Sequence, residues 1–199
     1  SKHPALVFVE FCINDMQSPD KELVQKGVEG IIRQFKTNRP YPDIVFLGAG
    51  LRPGTGNSPE GLCDHSIHRE IAEYYDIPFL DIQSYILKKL KERGQTWQAV
   101  DQSWDSVPGD RFHLNDYGQR LWFECIKEWY EEQIRLFDRI PMTPVVDDVP
   151  PPLYSDELQY TRLVDPTRRN KHLTLEGGWH KADDLVMPWY LDNVLVGRP

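Results

Sequence analysis

The chain has 199 residues, of which 40% are hydrophobic, and carries a net charge of -8. That length holds one full domain, or one domain with a small appendage. The acidic balance argues against a general nucleic-acid binder, which needs a basic surface to displace counterions, and no run of about eighteen apolar residues exists to span a membrane.

Ala5-Leu6-Val7-Phe8-Val9 is a continuous apolar run of strand length, of the kind covered on both faces in a parallel sheet. A helix is predicted from about Asp20 to Asn38, where Val24, Val28, Ile31, Ile32 and Phe35 recur at helical spacing and Asp20 can cap the start. Arg39-Pro40-Tyr41-Pro42 ends it, and Asp43-Ile44-Val45-Phe46-Leu47 reads as a second buried strand. A glycine- and proline-rich loop follows from Gly48 to Gly61, then a helix from about His65 to Tyr75. Ile77-Pro78-Phe79-Leu80-Asp81 is a third short strand, and Ser84 to Arg93 a further helix stopped by Gly94. The last strong helix runs from about Asn115 to Phe137, with Leu121, Trp122, Cys125, Ile126, Trp129 and Ile134 on its apolar face.

This alternation predicts an α/β fold with a parallel, layered sheet. Three strands are few for a doubly wound domain, so amino-terminal strands are expected ahead of Ser1. The α/β part is placed at residues 1–138. A proline-rich linker is expected at 139–152, marked by Pro141, Pro144, Pro150, Pro151 and Pro152. Residues 153–199 read as the start of a second, β-rich module, with Leu173-Thr174-Leu175 and Val194-Leu195-Val196 as short apolar stretches.

Two short segments carry chemistry. Asn14 follows the first strand, at the end where open α/β sheets bind ligands. Its carboxamide can donate a hydrogen bond to an oxyanion, or merely close an Asx-turn. Asp110 and His113 stand three apart before the last helix, which Asn115 or Asp116 can cap. At that spacing a carboxylate can reach one imidazole nitrogen and leave the other as a general base; an exposed loop histidine near an aspartate is the plainer alternative.

Ile13-Asn14-Asp15-Met16 resembles the third signature block of the SGNH (GDSL-type) hydrolases, and Asp110-Arg111-Phe112-His113-Leu114-Asn115 resembles their last block. Gly118 stands where that block often has a small residue, and His68 to Pro78 is similar to the family's helix-to-strand segment. The resemblance covers about residues 4 to 137. It implies a flavodoxin-like three-layer α/β/α sandwich and ester hydrolysis through an acyl-enzyme, with Asn14 an oxyanion donor, His113 the base and Asp110 its orienting partner. The family's Gly-Asp-Ser block, with the nucleophile, and its oxyanion glycine block both precede the Asn block, and this sequence contains neither. The chain therefore reads as the carboxyl-terminal portion of such a hydrolase, with the serine upstream. Ser58, Ser66, Ser84, Ser103 and Ser106 sit on no tight strand-to-helix turn.

Glu10, Arg52 and Trp104 are expected to line the substrate site. Glu10 interrupts an apolar strand, where a carboxylate is costly unless paired. Asp81 ends another strand and reads the same way. Arg52 lies in the glycine-rich loop and can meet an anionic group. Trp97 and Trp104 precede His113; flat aromatics suit sugar stacking or core packing equally. Cys63, His65 and His68 lack an evident fourth ligand for zinc, so no metal is expected, and the proposed chemistry needs no organic cofactor. Cys12, Cys63 and Cys125 form no evident disulfide framework and read as buried thiols.

The expected activity is an esterase that removes acyl groups from a small molecule, a carbohydrate or a polysaccharide, with neither nucleic acid nor membrane as partner. A segment completing the sheet, in cis or in trans, is a further expected partner, because an open edge invites aggregation. The alternative is a noncatalytic binding or assembly module on the same scaffold. Compartment is left open; a polysaccharide substrate fits secretion.

Overall fold

The computed structural model describes residues 4–37, 42–102, 110, 112–137 and 149–161, and the backbone of 180–181 and 195–196. Strands β1 (Leu6–Val9), β2 (Asp43–Gly48) and β3 (Phe79–Asp81) form one parallel sheet in the order β1-β2-β3. Leu6 pairs with Asp43 and Val9 with Phe46 across the first ladder, and Phe46 with Phe79 across the second. Among the described residues five α-helices accompany them: α1 (Cys12–Met16), α2 (Lys21–Thr37), α3 (Ser66–Tyr74), α4 (Ile82–Glu92) and α5 (Asp116–Phe137).

The alternation of side chains along β2 divides the core in two. Ile44 and Phe46 face Val24, Val28 and Ile32 of α2 and Ile71 and Ala72 of α3. Val45 and Leu47 face Ile82, Ile86 and Leu90 of α4 and Leu121 and Cys125 of α5. Helices thus cover both faces of the sheet. The central strand β2 is buried from Ile44 to Gly48. By contrast, among the described residues β1 pairs on one side only, and its Phe8 is 39% exposed, touching Trp129 edge-on. Full coverage of β1 on both faces, as its apolar run predicts, does not extend to Phe8, because an edge strand has fewer neighbours.

Local signals place the helices. The Asp20 carboxylate accepts the backbone N–H of Leu23, and that of Asp81 accepts the N–H of Ser84, closing the first turns of α2 and α4. Asp81 also takes the Arg69 guanidinium at 2.8 Å, so its observed work is to cap α4 and tie it to α3. The helix α1 was not anticipated: five residues are too few to show a period.

Residues 149–159 belong to the same compact unit as the sheet, which runs to Gln159. Seven residues beyond the expected linker are thus part of the α/β body, held by the fully buried Glu29 of α2. Its carboxylate accepts the backbone N–H groups of Leu153 (2.5 Å), Tyr154 (2.8 Å) and Ser155 (2.7 Å), and the Tyr75 hydroxyl (2.5 Å). One turn on, Arg33 donates to Pro150 O and to Gln159 Oε1. Tyr160–Pro199 is a second unit, in which His180–Lys181 and Leu195–Val196 pair antiparallel. The expected strand at 173–175 lies outside the described residues.

Candidate active site

At the carboxyl end of β1 the chain turns directly into α1, which carries Asn14 on an exposed position. Asp15, the next residue, accepts a 2.9 Å contact from His68 Nε2 of α3, and His68 is 2% exposed. Cys12, fully buried, directs its thiol to Leu47 O of β2. The segment bearing Asn14 is therefore fastened to both α3 and the sheet. The Asn14 carboxamide itself hydrogen-bonds no described residue.

His113 is fastened from the other side. Gln102 N donates to His113 O, Asn115 N donates to Val100 O, and Leu114 bridges Asp101. Asn115 caps α5 by accepting the N–H groups of Tyr117 and Gly118. Gly118 is required by close packing, since a Cβ there would lie 2.7 Å from Leu114 Cβ and 2.9 Å from Val100 O. The result is a loop with its backbone pinned and its His113 side chain 73% exposed.

Asp110 and His113 form a pair. Asp110 Oδ2 lies 2.8 Å from His113 Nδ1, while Oδ1 accepts the backbone N–H groups of Phe112 and His113, each at 3.0 Å. Burial raises the carboxyl's proton affinity, but those two N–H groups and the imidazole outweigh it and hold Asp110 below its ordinary pKa. A carboxylate at Nδ1 leaves Nε2 for a reacting hydroxyl.

Asn14 and His113 line one cavity of about 520 Å3, together with Glu10, Ile13, Gln17, Phe112, Leu114, Gln119, Trp122 and Phe123. It lies at the carboxyl end of the sheet, between β1–α1 and the start of α5. Glu10 places one oxygen, Oε1, in a buried position with no hydrogen-bond partner. Burial pushes the Glu10 carboxyl pKa up, against the opposing backbone N–H groups of Ile13 and Cys12. Gln17, Gln119 and Phe123 carry no sequence signal beyond nearness to Asn14 or His113, while Trp122 reads from the sequence only as part of the apolar face of α5 and Phe112 only as part of the block that holds His113.

Of the other expected lining residues, the described one, Arg52, is placed elsewhere. Arg52 Nε lies 2.5 Å from the buried carboxylate of Asp101, and Arg52 is not among the residues lining the Asn14–His113 cavity. Trp97 packs in the core between α4 and α5. Trp104, Ser103 and Ser106 lie outside the described residues. Ser58, Ser66 and Ser84 do not line the cavity; Ser58, for instance, accepts Leu62 N and donates to Glu60.

The described thiols are all free and buried. Burial raises the pKa of Cys12, pushes Cys63 up to about 12 and pushes Cys125 up to about 11, so none is poised as a thiolate. His65 Nε2 lies 2.8 Å from Ala49 O, and His68 is engaged with Asp15. Among the described residues no group of His, Cys, Asp or Glu is arranged to hold a metal ion, and no helix is long and apolar enough to cross a membrane.

Compared with family models, curated proteins and solved structures, the chain matches none.

Proposed function

We propose that this chain carries the acid–base half of an SGNH-type esterase acting on acylated carbohydrate. The observation that carries the reading is the single cavity lined by both Asn14 and His113, with Asp110 bonded to His113 Nδ1. In this reading the sheet is part of a flavodoxin-like three-layer sandwich. Further strands pair with the open side of β1 and bring a serine to the cavity from outside these 199 residues.

The chemistry follows from the groups present. The serine hydroxyl attacks the ester carbonyl as His113 Nε2 takes its proton, and Asp110 holds the imidazole in the required tautomer and stabilises the imidazolium. The carbonyl oxygen becomes an oxyanion, to which the Asn14 carboxamide donates a hydrogen bond. His113 then returns the proton to the departing alcohol, and water releases the acyl group by the same path.

A noncatalytic module on this scaffold is the second reading. It is favoured by the absence of a serine or threonine hydroxyl among the described residues that line the cavity. Fluorophosphonate labelling of the full-length protein separates the two. The esterase reading requires labelling in the wild type and its loss in His113→Ala. Equal labelling of both removes His113 as base, and a wild type that does not label favours the noncatalytic module.

A further inference from the structure

We infer that His68 is a positioning residue for the Asn14 carboxamide: through its hydrogen bond to Asp15 it sets the angle at which α1 presents Asn14 to the cavity. The inference deepens the esterase reading and rests on it only for what the carboxamide does there.

The helix α1 cannot hold that angle by itself. Its five residues are far fewer than an isolated helix needs to be stable, and Phe11, its N-cap, makes no side-chain cap. Its placement therefore comes from what grips it. At its start the grip is the Cys12 thiol, a weak donor, 3.5 Å from Leu47 O. At its end Met16 O accepts from Asn57 Nδ2 at 3.1 Å and from Lys21 Nζ at 3.5 Å, both of them exposed bonds. Between these, directly beside Asn14, His68 Nε2 donates to Asp15 Oδ2 at 2.9 Å.

His68 is itself well held. It lies on the buried face of α3 with Ile71 and Ala72, and its ring meets that of Phe46 on β2 edge-on, with centroids 6.1 Å apart. The next residue, Arg69, binds Asp81 at the start of α4. A line of contacts thus runs from the sheet through His68 and Asp15 to Asn14. Consecutive helical residues project about 100° apart, so Asp15 can turn to α3 while Asn14 lines the cavity, which Asp15 does not.

Stability alone does not call for a polar pair at this place. A buried imidazole and its carboxylate lose hydration, and well-packed apolar side chains of similar volume often serve as well. What an apolar pair lacks is direction. A hydrogen bond resists rotation of α1 about its own axis, whereas hydrophobic contact is non-directional. Rotation matters because a misplacement of about 1 Å can cost roughly a hundredfold in rate.

The test is 15N relaxation on the full chain, beside kinetics on the full-length protein. In the wild type the Asn14 backbone amide is expected to be as ordered as β2, with an order parameter of about 0.85. His68→Leu and Asp15→Ala should each lower it towards about 0.6 and leave β2 unchanged. His68→Gln, which keeps an N–H donor, should retain most of the wild-type order. If His68→Leu does not fold, Asp15→Ala decides, since the Asp15 side chain is 26% exposed. No difference at Asn14 between the wild type and Asp15→Ala overturns the inference. In kinetics, Asp15→Ala should lower kcat roughly a hundredfold with KM within a few-fold, but by less than about threefold where Asn14 is already alanine. Equal losses in the two backgrounds reduce the pair to a structural tie and overturn the inference as well. Relaxation needs no turnover, so a protein that shows the difference in order but hydrolyses no ester counts against the esterase reading alone.

Discussion

Asp110 binds His113 twice: Oδ2 meets the imidazole Nδ1 at 2.8 Å, and Oδ1 accepts the same residue's backbone N–H at 3.0 Å. One carboxylate therefore sets both the ring's orientation and the backbone from which it projects. Asp110→Asn keeps the shape but can present an N–H to Nδ1 and so favour the wrong tautomer. On the esterase reading, the expected loss in kcat of the full-length protein is about 10^3- to 10^4-fold, with KM nearly unchanged. Steady-state kinetics on an acetylated glucoside check it. The sign with pH follows from the lowered Asp110 pKa. The stabilisation that the folded loop draws from this carboxylate is complete above its unfolded pKa, about 3.9, and is lost as pH falls through the folded value.

The Asn14 carboxamide makes no hydrogen bond to a described residue and lines the same cavity as His113. It is free to meet a charge that exists only after attack. Asn14→Ala should therefore lower kcat by roughly 10^2- to 10^3-fold, leave KM within a few-fold, and leave the melting temperature almost unchanged. A change confined to KM would assign Asn14 to ground-state binding instead.

Glu29 gathers three backbone N–H groups of residues 153–155 and the Tyr75 hydroxyl. Glu29→Ala leaves those donors buried without their acceptor and should cost about 3 kcal/mol or more in urea unfolding. Limited proteolysis should cut the variant first within 149–159. Burial opposes ionisation of Glu29, but the Tyr75 hydroxyl and the three N–H groups prevail and lower its pKa. The stabilising contribution is thus present above the unfolded pKa of about 4.3 and lost below the folded value. The stability gap between wild type and Glu29→Ala should narrow as pH falls through that window.

Gly118→Ala puts a methyl group 2.7 Å from Leu114 Cβ and 2.9 Å from Val100 O. Neither neighbour is the loose end of a flexible side chain, so the start of α5 must move. The expected cost is about 1–3 kcal/mol, read by thermal denaturation. Leu114 adjoins His113, so esterase activity should fall by more than the folded fraction does.

How far these features were legible in the sequence depended on period and on partners. Strands β1 to β3 and helices α2 to α5 carry either continuous apolar runs or a repeated apolar face, and both signals are local. Asp110 and His113 were legible because their contact spans three residues. The strap at 149–159 was not: its prolines speak for a linker, and its anchor is Glu29, more than a hundred positions away. A trace existed in α2, where Glu29 and Arg33 fall one turn apart on the face buried with Val28 and Ile32. Arg52 misled for a similar reason, since its contact with Asp101 is made across 49 residues. Trp97 could be read either way until α4 and α5 closed around it.

Acetate release from an acetylated glucoside by the full-length protein, wild type beside His113→Ala, tests the shared Asn14–His113 cavity as a catalytic centre most directly. The expected result is hydrolysis by the wild type and a rate at least a thousandfold lower in the variant, at equal thermal stability. Equal rates in the two proteins, or no hydrolysis by the wild type, would contradict it.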